Sequence, residues 1–154
     1  MLTETERREI EQELKSYGRK RAAGVEALKI VQRHRGWVSD EHLEEVAGIL
    51  GVTPDELDGT ATFYSLVFRR EVGRHVILVC DSISCWITGY EDILCRLQNV
   101  LGIGLGGTTP DGRFTLLPVC CLGVCEQAPA VLIDGKVHGN LSPEKIESLL
   151  EKYE

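Results

Sequence analysis

Several features that would indicate a membrane, secreted or nucleic-acid-binding protein are missing from this chain. No segment approaches the roughly 18 consecutive apolar residues that a membrane span needs. The N-terminal stretch MLTETERREIEQ is charged and lacks the apolar core of a signal peptide, so we expect a cytoplasmic protein with no direct membrane insertion. The 17 Lys and Arg are outnumbered by 24 Asp and Glu, which argues against nucleic acid as a partner. No Ser-His-Asp set, carboxylate pair or phosphate-binding loop is visible.

Cysteine, in contrast, is locally dense. Three of the six cysteines fall within the stretch PVCCLGVCEQAPAV. In a cytosolic protein, clustered cysteines are more often metal ligands or redox groups than structural disulfides. The sulfur atoms are therefore the candidate functional groups of this chain.

The first 70 residues have the pattern of four short helices. Thr3 and Glu6 form a capping-box pattern at the start of the first helix. Ser39 and Thr53 stand where the third and fourth helices would begin, and apolar residues follow each of them at helical spacing. These signals predict a small helical bundle over residues 1–72.

The hydrophobic period changes near residues 71–74. HVILVC predicts a buried strand, WITGYEDILCRLQNVLG a helix and GRFTLLPV another strand. PAVLIDGKVHG predicts a hairpin that turns at Asp134 and Gly135, and SPEKIESLLEKY predicts a last helix that begins at Ser142. This order predicts an α/β unit over residues 73–154, so the fold class of the whole chain is α+β.

The cysteines form two groups, each placed directly after a predicted strand. Cys80 ends the first strand and Cys85 follows in a loop, while Cys120, Cys121 and Cys125 follow the next strand. Neighbouring strands would bring the two loops together. Four thiolates gathered in this way could hold a structural zinc ion or an iron–sulfur cluster.

Spacing alone does not separate these two possibilities. The intervals Cys80-x4-Cys85 and Cys121-x3-Cys125 lie within or at the limit of the zinc range. A cluster is favoured by Gly123, Ser82 and Ser84, because the loops around a cluster need residues that let backbone N–H groups approach its sulfides. A thiol–disulfide oxidoreductase is a third possibility, but the C-x-x-C that such chemistry uses is absent.

The segments CDSISCW and CLGVCEQAPAV resemble the 24-kDa family of respiratory NADH-quinone oxidoreductase, or complex I, whose bacterial members are its E subunits. RHRGWVS, TATFYSLV and GTTPDGRFTL also resemble stretches of this family, so the similarity runs along nearly the whole chain. The resemblance implies one [2Fe–2S] cluster in a thioredoxin-like domain, with Cys80, Cys85, Cys121 and Cys125 as its ligands. Because a cysteine also precedes the third ligand, Cys120 with Cys125 remains a rival pair, although we expect Cys120 to be a buried neighbour.

The resemblance also implies a partner and a role. The partner would be a subunit of the same complex that carries FMN, the NADH site and a [4Fe–4S] cluster. This chain would be an electron-transfer subunit, peripheral to the inner membrane through the complex, with no substrate chemistry of its own. Its helical N-terminal part would dock the partner. The equivalent subunit of an NAD-linked hydrogenase or formate dehydrogenase is the alternative.

Four further features carry expectations. Cys95 lies in the middle of a predicted helix among apolar residues and is expected in the core. Trp86 is expected to pack over the cysteine loop and to limit access of water. Pro129 resembles the proline before the third strand of thioredoxin-like folds, often cis there, although a plain turn proline is an equal alternative. The G-x-G-x-x-G spacing of a dinucleotide-binding loop occurs at Gly102, Gly104 and Gly107. This loop follows a predicted helix and precedes a strand, the reverse of the order that dinucleotide binding needs, so we do not expect nucleotide binding.

Overall fold

The computed structural model describes residues 1–153, which form two compact units. The first unit covers Met1–Glu71 and the second begins at Val72. None of the helices within residues 1–153 has the length and apolar character that crossing a bilayer requires.

Four helices build the first unit, as the sequence pattern predicts. They are α1 (Glu4–Leu14), α2 (Gly24–Arg35), α3 (Asp40–Leu50) and α4 (Pro54–Phe63), with a short 3-10 turn at Lys20–Ala23. The side chains of Thr3, Ser39 and Thr53 accept a hydrogen bond from the backbone N–H three residues later, which confirms them as N-caps. The apolar faces of the helices share one buried core that includes Ile10, Leu28, Val46 and Leu57.

A buried ion pair joins α1 to α2. The side chain of Glu6 is 1% exposed, and its carboxylate accepts hydrogen bonds from Arg35 at 2.6 and 2.7 Å. The same carboxylate accepts the N–H of Thr3 at 2.6 Å, which completes the predicted capping box. Hydrogen bonds from Arg35, above all, lower the pKa of Glu6 to about 2.

The second unit is a four-stranded sheet with helices. Its strands and helices, in chain order, are β1 (His75–Cys80), α5 (Ile83–Thr88), α6 (Tyr90–Leu101), β2 (Phe114–Val119), β3 (Val131–Ile133), β4 (Lys136–His138) and α7 (Ile146–Leu150). The strand order is β2-β1-β3-β4. β1 and β2 are parallel, and the other two pairings are antiparallel. Asp134 and Gly135 form the turn between β3 and β4 with positive φ angles of 48° and 80°, as the predicted hairpin requires.

Two predicted helices differ in detail from the structure. The helix predicted from residue 86 onward is divided into α5 and α6 at Gly89, whose φ of 117° interrupts regular helical geometry. Cys85 therefore lies in a helix and not in a loop. The final helix begins as a 3-10 turn at Pro143–Lys145, and the side chain of Ser142 makes no capping hydrogen bond to it.

The prediction that Cys95 is a core residue is wrong. Ile93 and Leu97 are buried at 2% and 0% exposure, but Cys95 is exposed. Two residues correspond to about 200° of rotation around an α-helix, so a residue midway between two buried ones points away from the core. The apolar neighbours of Cys95 in sequence are thus on the opposite side of α6.

Candidate metal centre

Two adjacent strands bring the cysteine-bearing segments to one edge of the sheet. Cys80 ends β1 opposite Val119, which ends β2. The N–H of Asp81 then donates to the carbonyl of Val119 at 3.0 Å, so the two segments are still hydrogen-bonded where they leave the sheet. The parallel pairing of β1 with β2 therefore explains why residues 40 positions apart can form one site.

Cys80 and Cys85 form the buried part of this site. Each is 3% exposed and packs in a small apolar cluster with Ala130. The Sγ of Cys80 donates to the carbonyl oxygen of Cys120 at 3.5 Å. Five partly buried apolar residues pack against Cys80, Cys85 and Ala130 and keep water away from one side of the sulfur atoms: Tyr90, Val119, Leu122, Val124 and Ala128.

Burial controls the protonation of Cys85. Removal from water, together with the neighbouring thiol of Cys80, raises the pKa of Cys85 to about 11. The thiol is therefore protonated at neutral pH in the free chain. Coordination to a metal needs the thiolate, so binding at Cys85 must release a proton.

Cys121 and Cys125 form the exposed part of the site. Their Sγ atoms are 3.8 Å apart. The N–H of Gly123 donates to the Sγ of Cys121 at 3.4 Å, and Gly123 has a φ of 78° that turns the chain back between the two cysteines. This N–H, followed by the thiol of Cys125, lowers the pKa of Cys121. The sequence predicts that a backbone N–H near Gly123 approaches the sulfides of a cluster; the contact in the structure is to the cysteine sulfur of Cys121.

The distance between Cys121 and Cys125 fits two ligands of one metal ion. A metal–sulfur bond of about 2.3 Å and tetrahedral angles give a sulfur–sulfur separation of about 3.8 Å. A mononuclear zinc site would need all four sulfur atoms at such mutual distances. Within residues 1–153, however, no group of three or more His, Cys, Asp or Glu side chains is close enough to hold a single metal ion. The separation of 3.8 Å fits two thiolates on a mononuclear ion and two thiolates on one iron of a binuclear centre alike.

The prediction that Cys120 is buried is wrong. Cys120 is exposed, and it is its carbonyl oxygen that contacts the Sγ of Cys80. Side chains alternate between the two faces of a strand. Pro118 is exposed and Val119 is half-buried, so Cys120, two residues after Pro118, is again on the exposed face. Nothing in the sequence indicates the carbonyl contact, because every residue carries a carbonyl group.

Trp86, which the sequence predicts to lie over the cysteine loop, is more exposed than a residue that closes the site to water. Its side chain is 55% exposed, although Cys85 beside it is buried. Water is excluded instead by the apolar residues around Cys80 and Ala130. The bond between Ala128 and Pro129 is cis, which is one of the two alternatives that the sequence left open.

A close backbone contact supports the loop that carries Cys125, and sequence reasoning missed it. The N–H of Asn140 donates to the carbonyl of Gln127 at 2.6 Å. Gly139 lies against the same residue, so that a Cβ atom at this position would be 2.5 Å from the Cβ of Gln127. A glycine directly after a short strand was the available signal.

A surface cavity near α7 carries no thiol chemistry. Its volume is about 500 Å³, and the residues that line it include Leu101, Arg113, Phe114 and Glu147 but no cysteine. The cysteine site is therefore the candidate on chemical grounds and not on cavity size.

Comparison with known proteins is consistent with this geometry. Residues 10–154 match the family described as thioredoxin-like [2Fe-2S] ferredoxin. The chain is 54% identical over 153 residues to the E subunit of NADH-quinone oxidoreductase from Pseudomonas aeruginosa, and 99% of this chain and 92% of that protein are covered. It is 51% identical over 152 residues to the protein of the same name from Escherichia coli K12, with 99% and 92% covered.

A solved structure also resembles the chain over most of its length. The match is to the crystal structure of an NAD+-reducing [NiFe]-hydrogenase in the air-oxidized state, with a TM-score of 0.73 and 27% sequence identity. It covers 85% of this chain but only 22% of the hydrogenase chain. The likeness therefore concerns one part of a much longer protein.

Proposed function

Because the chain belongs to the thioredoxin-like [2Fe–2S] ferredoxin family, and within it to the E subunits of NADH-quinone oxidoreductase, we propose that it is the electron-transfer subunit of that enzyme. It holds one [2Fe–2S] cluster and transfers single electrons. The observation that carries this proposal is the pairing of a buried and an exposed couple of cysteines at the end of two parallel strands.

The proposed ligands are Cys80, Cys85, Cys121 and Cys125. The distance of 3.8 Å between the sulfur atoms of Cys121 and Cys125 supports these two as ligands of one iron. Cys80 and Cys85, which are buried next to each other, would then bind the second iron. The hydrogen bond from Gly123 supports Cys121 over Cys120, because it stabilises negative charge on the Cys121 sulfur.

Each part of the site has a function in electron transfer. The cluster, when bound, supplies one-electron redox chemistry at a potential that its surroundings adjust. The N–H of Gly123 favours added negative charge on sulfur and so raises the potential. The exposed carboxylates of Asp81 and Glu126, next to two of the ligands, act in the opposite direction. The apolar packing around Cys80 excludes water from one side of the site.

The proposed partner is the FMN- and NADH-binding subunit of the same complex. Residues 73–154 would carry the cluster, and residues 1–72 would serve as a docking domain. Three large apolar side chains exposed in the first unit support docking: Phe63 is 81% exposed, Leu66 is 51% exposed and Tyr64 is 46% exposed. Through its partners the chain would be held at the cytoplasmic side of the inner membrane. No NADH or quinone chemistry takes place on this chain alone.

A second candidate function is the equivalent subunit of an NAD-linked hydrogenase or formate dehydrogenase. The similarity to part of an NAD+-reducing hydrogenase favours it, at 27% identity. The identity of 54% over almost the entire length of a quinone-reductase subunit supports the first proposal more strongly.

The proposal is tested by reduction with NADH. The chain is purified alone and together with the flavin-bearing subunit from the same organism, and the [2Fe–2S] EPR signal is recorded with and without NADH. We expect reduction of the cluster by NADH in the complex and none in the isolated chain. If the two proteins do not associate, or if the cluster stays oxidised in a complex that oxidises NADH, the proposal is wrong.

A further inference from the structure

A second surface cavity of the second unit lies where β4 meets the last helical stretch, residues 143–152. Its volume is about 330 Å³, and residues of both elements line it. The titratable groups of the lining are Lys145, Lys152 and His138, and within residues 1–153 the lining contains no Asp or Glu. The whole chain, in contrast, has 24 acidic residues and 17 basic ones. A lining with positive charge and no negative charge is therefore unexpected in this protein.

The lysines and glutamates of the last helical stretch lie on different faces. Lys145 and Lys152 are seven residues apart, which is about two helical turns, so they lie on the same face. The N–H of Lys152 donates to the carbonyl of Leu149 at 3.2 Å, which keeps the chain turned as far as Lys152. Glu147 and Glu151 line the larger cavity of about 500 Å³. The larger cavity is thus bordered by carboxylates and the smaller one by ammonium groups.

The two ammonium groups of the smaller cavity are available to a ligand. Within residues 1–153, neither Lys145 nor Lys152 forms an ion pair with a carboxylate, whereas Arg96 of the same unit pairs with Glu147 at 2.7 Å. The ammonium group of Lys145 donates to the carbonyl of Asn140 at 2.9 Å. This bond uses one of its three N–H donors and leaves two. A concave surface lined by charges of one sign attracts ions of the opposite sign, so the cavity favours an anion.

His138 responds to the same positive charges. Its Nε2 is 2.6 Å from the hydroxyl oxygen of Tyr153. Burial, above all, and the charges of Lys136 and Lys152 lower the pKa of His138. The imidazole is therefore neutral at neutral pH, and the lining carries the two lysine charges. An anion in the cavity would counteract these charges and raise the pKa of His138, which makes this residue a reporter of binding.

The size and the lining of the cavity restrict the anion further. A phosphate monoester carries about 1.5 to 2 negative charges at pH 7, which matches two ammonium groups. Lysine binds phosphate as a compact point charge, whereas arginine suits the planar carboxylate. Three apolar side chains of the lining, Val137, Leu141 and Leu149, can contact an organic group. The volume lies near the lower end of the range of about 300–1,000 Å³ for ligand pockets, so the ligand is small.

We propose that the cavity lined by Lys145, Lys152 and His138 binds a small organic phosphate, with the phosphate group between the two ammonium groups and the organic group against Leu141 and Leu149. This inference goes beyond the proposed function and does not depend on it, because no cysteine lines the cavity. A protein without a cluster would therefore refute the proposed function and leave this inference open to its own test.

The test is the binding of phenyl phosphate to the full-length protein at low salt concentration. Calorimetry gives the dissociation constant, and NMR follows the ring protons of His138 as the pH is varied. We expect a dissociation constant of about 1 mM or lower and a higher pKa of His138 in the presence of the ligand. Inorganic phosphate should bind at least threefold more weakly, because it lacks the organic group, and so should benzoate, because it carries one charge.

Two variants of the cavity and one matched control complete the test. Lys145→Gln and Lys152→Gln should each weaken the binding of phenyl phosphate about fivefold or more, because each removes a charged donor. Lys15→Gln makes the same change at an exposed lysine of the first unit and should bind within about twofold of the wild type. In the ligand-free Lys152→Gln variant the pKa of His138 should already be higher, since one of the charges that lower it is gone.

Four results would overturn the inference. The first is no binding of phenyl phosphate at about 10 mM, and the second is an affinity that neither Lys145→Gln nor Lys152→Gln changes. If benzoate binds as tightly as phenyl phosphate, the site does not select a phosphate. If inorganic phosphate binds as tightly, the apolar lining holds no organic group.

Discussion

At the scale of single residues, Cys120 and Cys121 are adjacent in the chain but differ in what they contact. The Sγ of Cys121 is 3.8 Å from that of Cys125 and accepts the N–H of Gly123. Cys120 contacts the site through its carbonyl oxygen, which accepts from the thiol of Cys80, while its side chain is exposed. A serine at position 120 keeps this carbonyl group. We therefore propose that the side chain of Cys121 is a ligand and that the side chain of Cys120 is not.

We predict opposite results for two serine variants. Cys121→Ser should abolish or strongly alter the [2Fe–2S] EPR signal, because it removes a sulfur ligand. Cys120→Ser should leave the signal and the iron content at wild-type levels. The measurement is EPR of the dithionite-reduced proteins, with iron determined on the same samples. The reverse pattern would move the third ligand to Cys120.

Gly139 carries a second prediction at this scale. A Cβ atom here would be 2.5 Å from the Cβ and 2.7 Å from the carbonyl oxygen of Gln127, and one of the two segments would have to move. We expect Gly139→Ala to lower the free energy of unfolding by about 1–3 kcal/mol. Because Gln127 is two residues from Cys125, the EPR line shape should change as well.

Gly104→Ala is the matched control for this variant. No atom lies within 4 Å of a Cβ at Gly104, and its φ lies outside the left-handed region. Its unfolding free energy, measured by urea denaturation, should equal that of the wild type or exceed it slightly. Equal stability of both alanine variants would show that the contact between Gly139 and Gln127 is looser than in the structure.

At the scale of elements, local sequence signals predict where most helices begin. They do not predict where a helix is interrupted or which of its faces is buried. Thr3 and Thr53 are recognisable as N-caps because capping involves residues only three apart. The break at Gly89 is not, since the apolar residues before and after it continue the same helical spacing. The exposure of Trp86 could not be predicted either, because the sequence of a six-residue helix does not show which of its faces packs against the rest of the unit.

The ion pair between Glu6 of α1 and Arg35 of α2 predicts that the stability of the first unit depends on pH. The pKa of Glu6 is about 2 in the folded chain, against an ordinary value of 4.5. Its contribution is fully present above about pH 4.5 and is lost as the pH falls through about 2. The difference between the two pKa values corresponds to roughly 3 kcal/mol. Acid should therefore weaken the first unit through Glu6.

Glu6→Gln isolates this effect. At pH 7 we expect the variant to be about 2–4 kcal/mol less stable, because Arg35 loses a buried partner. The difference in unfolding free energy between the wild type and Glu6→Gln should shrink as the pH is lowered from about 5 to about 3, because protonation of Glu6 removes the same interaction from the wild type. Urea denaturation followed by circular dichroism measures both, with Glu4→Gln, an exposed change on the same helix, as the control. A deficit that is independent of pH would contradict the assigned pKa.

At the scale of the whole molecule, the four proposed ligands all lie in the second unit, and the topology of that unit explains how they meet. The parallel pairing of β1 with β2 joins two cysteine groups that are far apart in sequence, and the positions of the strand ends predict this meeting. The division into a buried and an exposed pair could not be predicted. Cys80 and Cys85 are buried because Ala130 and its apolar neighbours pack against them, and this packing depends on the tertiary structure.

The central claim is that the four sulfur atoms of Cys80, Cys85, Cys121 and Cys125 hold one binuclear iron cluster. The most direct test is the content of iron and acid-labile sulfide in the full-length protein purified without oxygen. We predict a coloured protein with iron and sulfide in equal amounts, about two of each per chain. A colourless protein, one that contains zinc, or one that contains iron without acid-labile sulfide would contradict the claim.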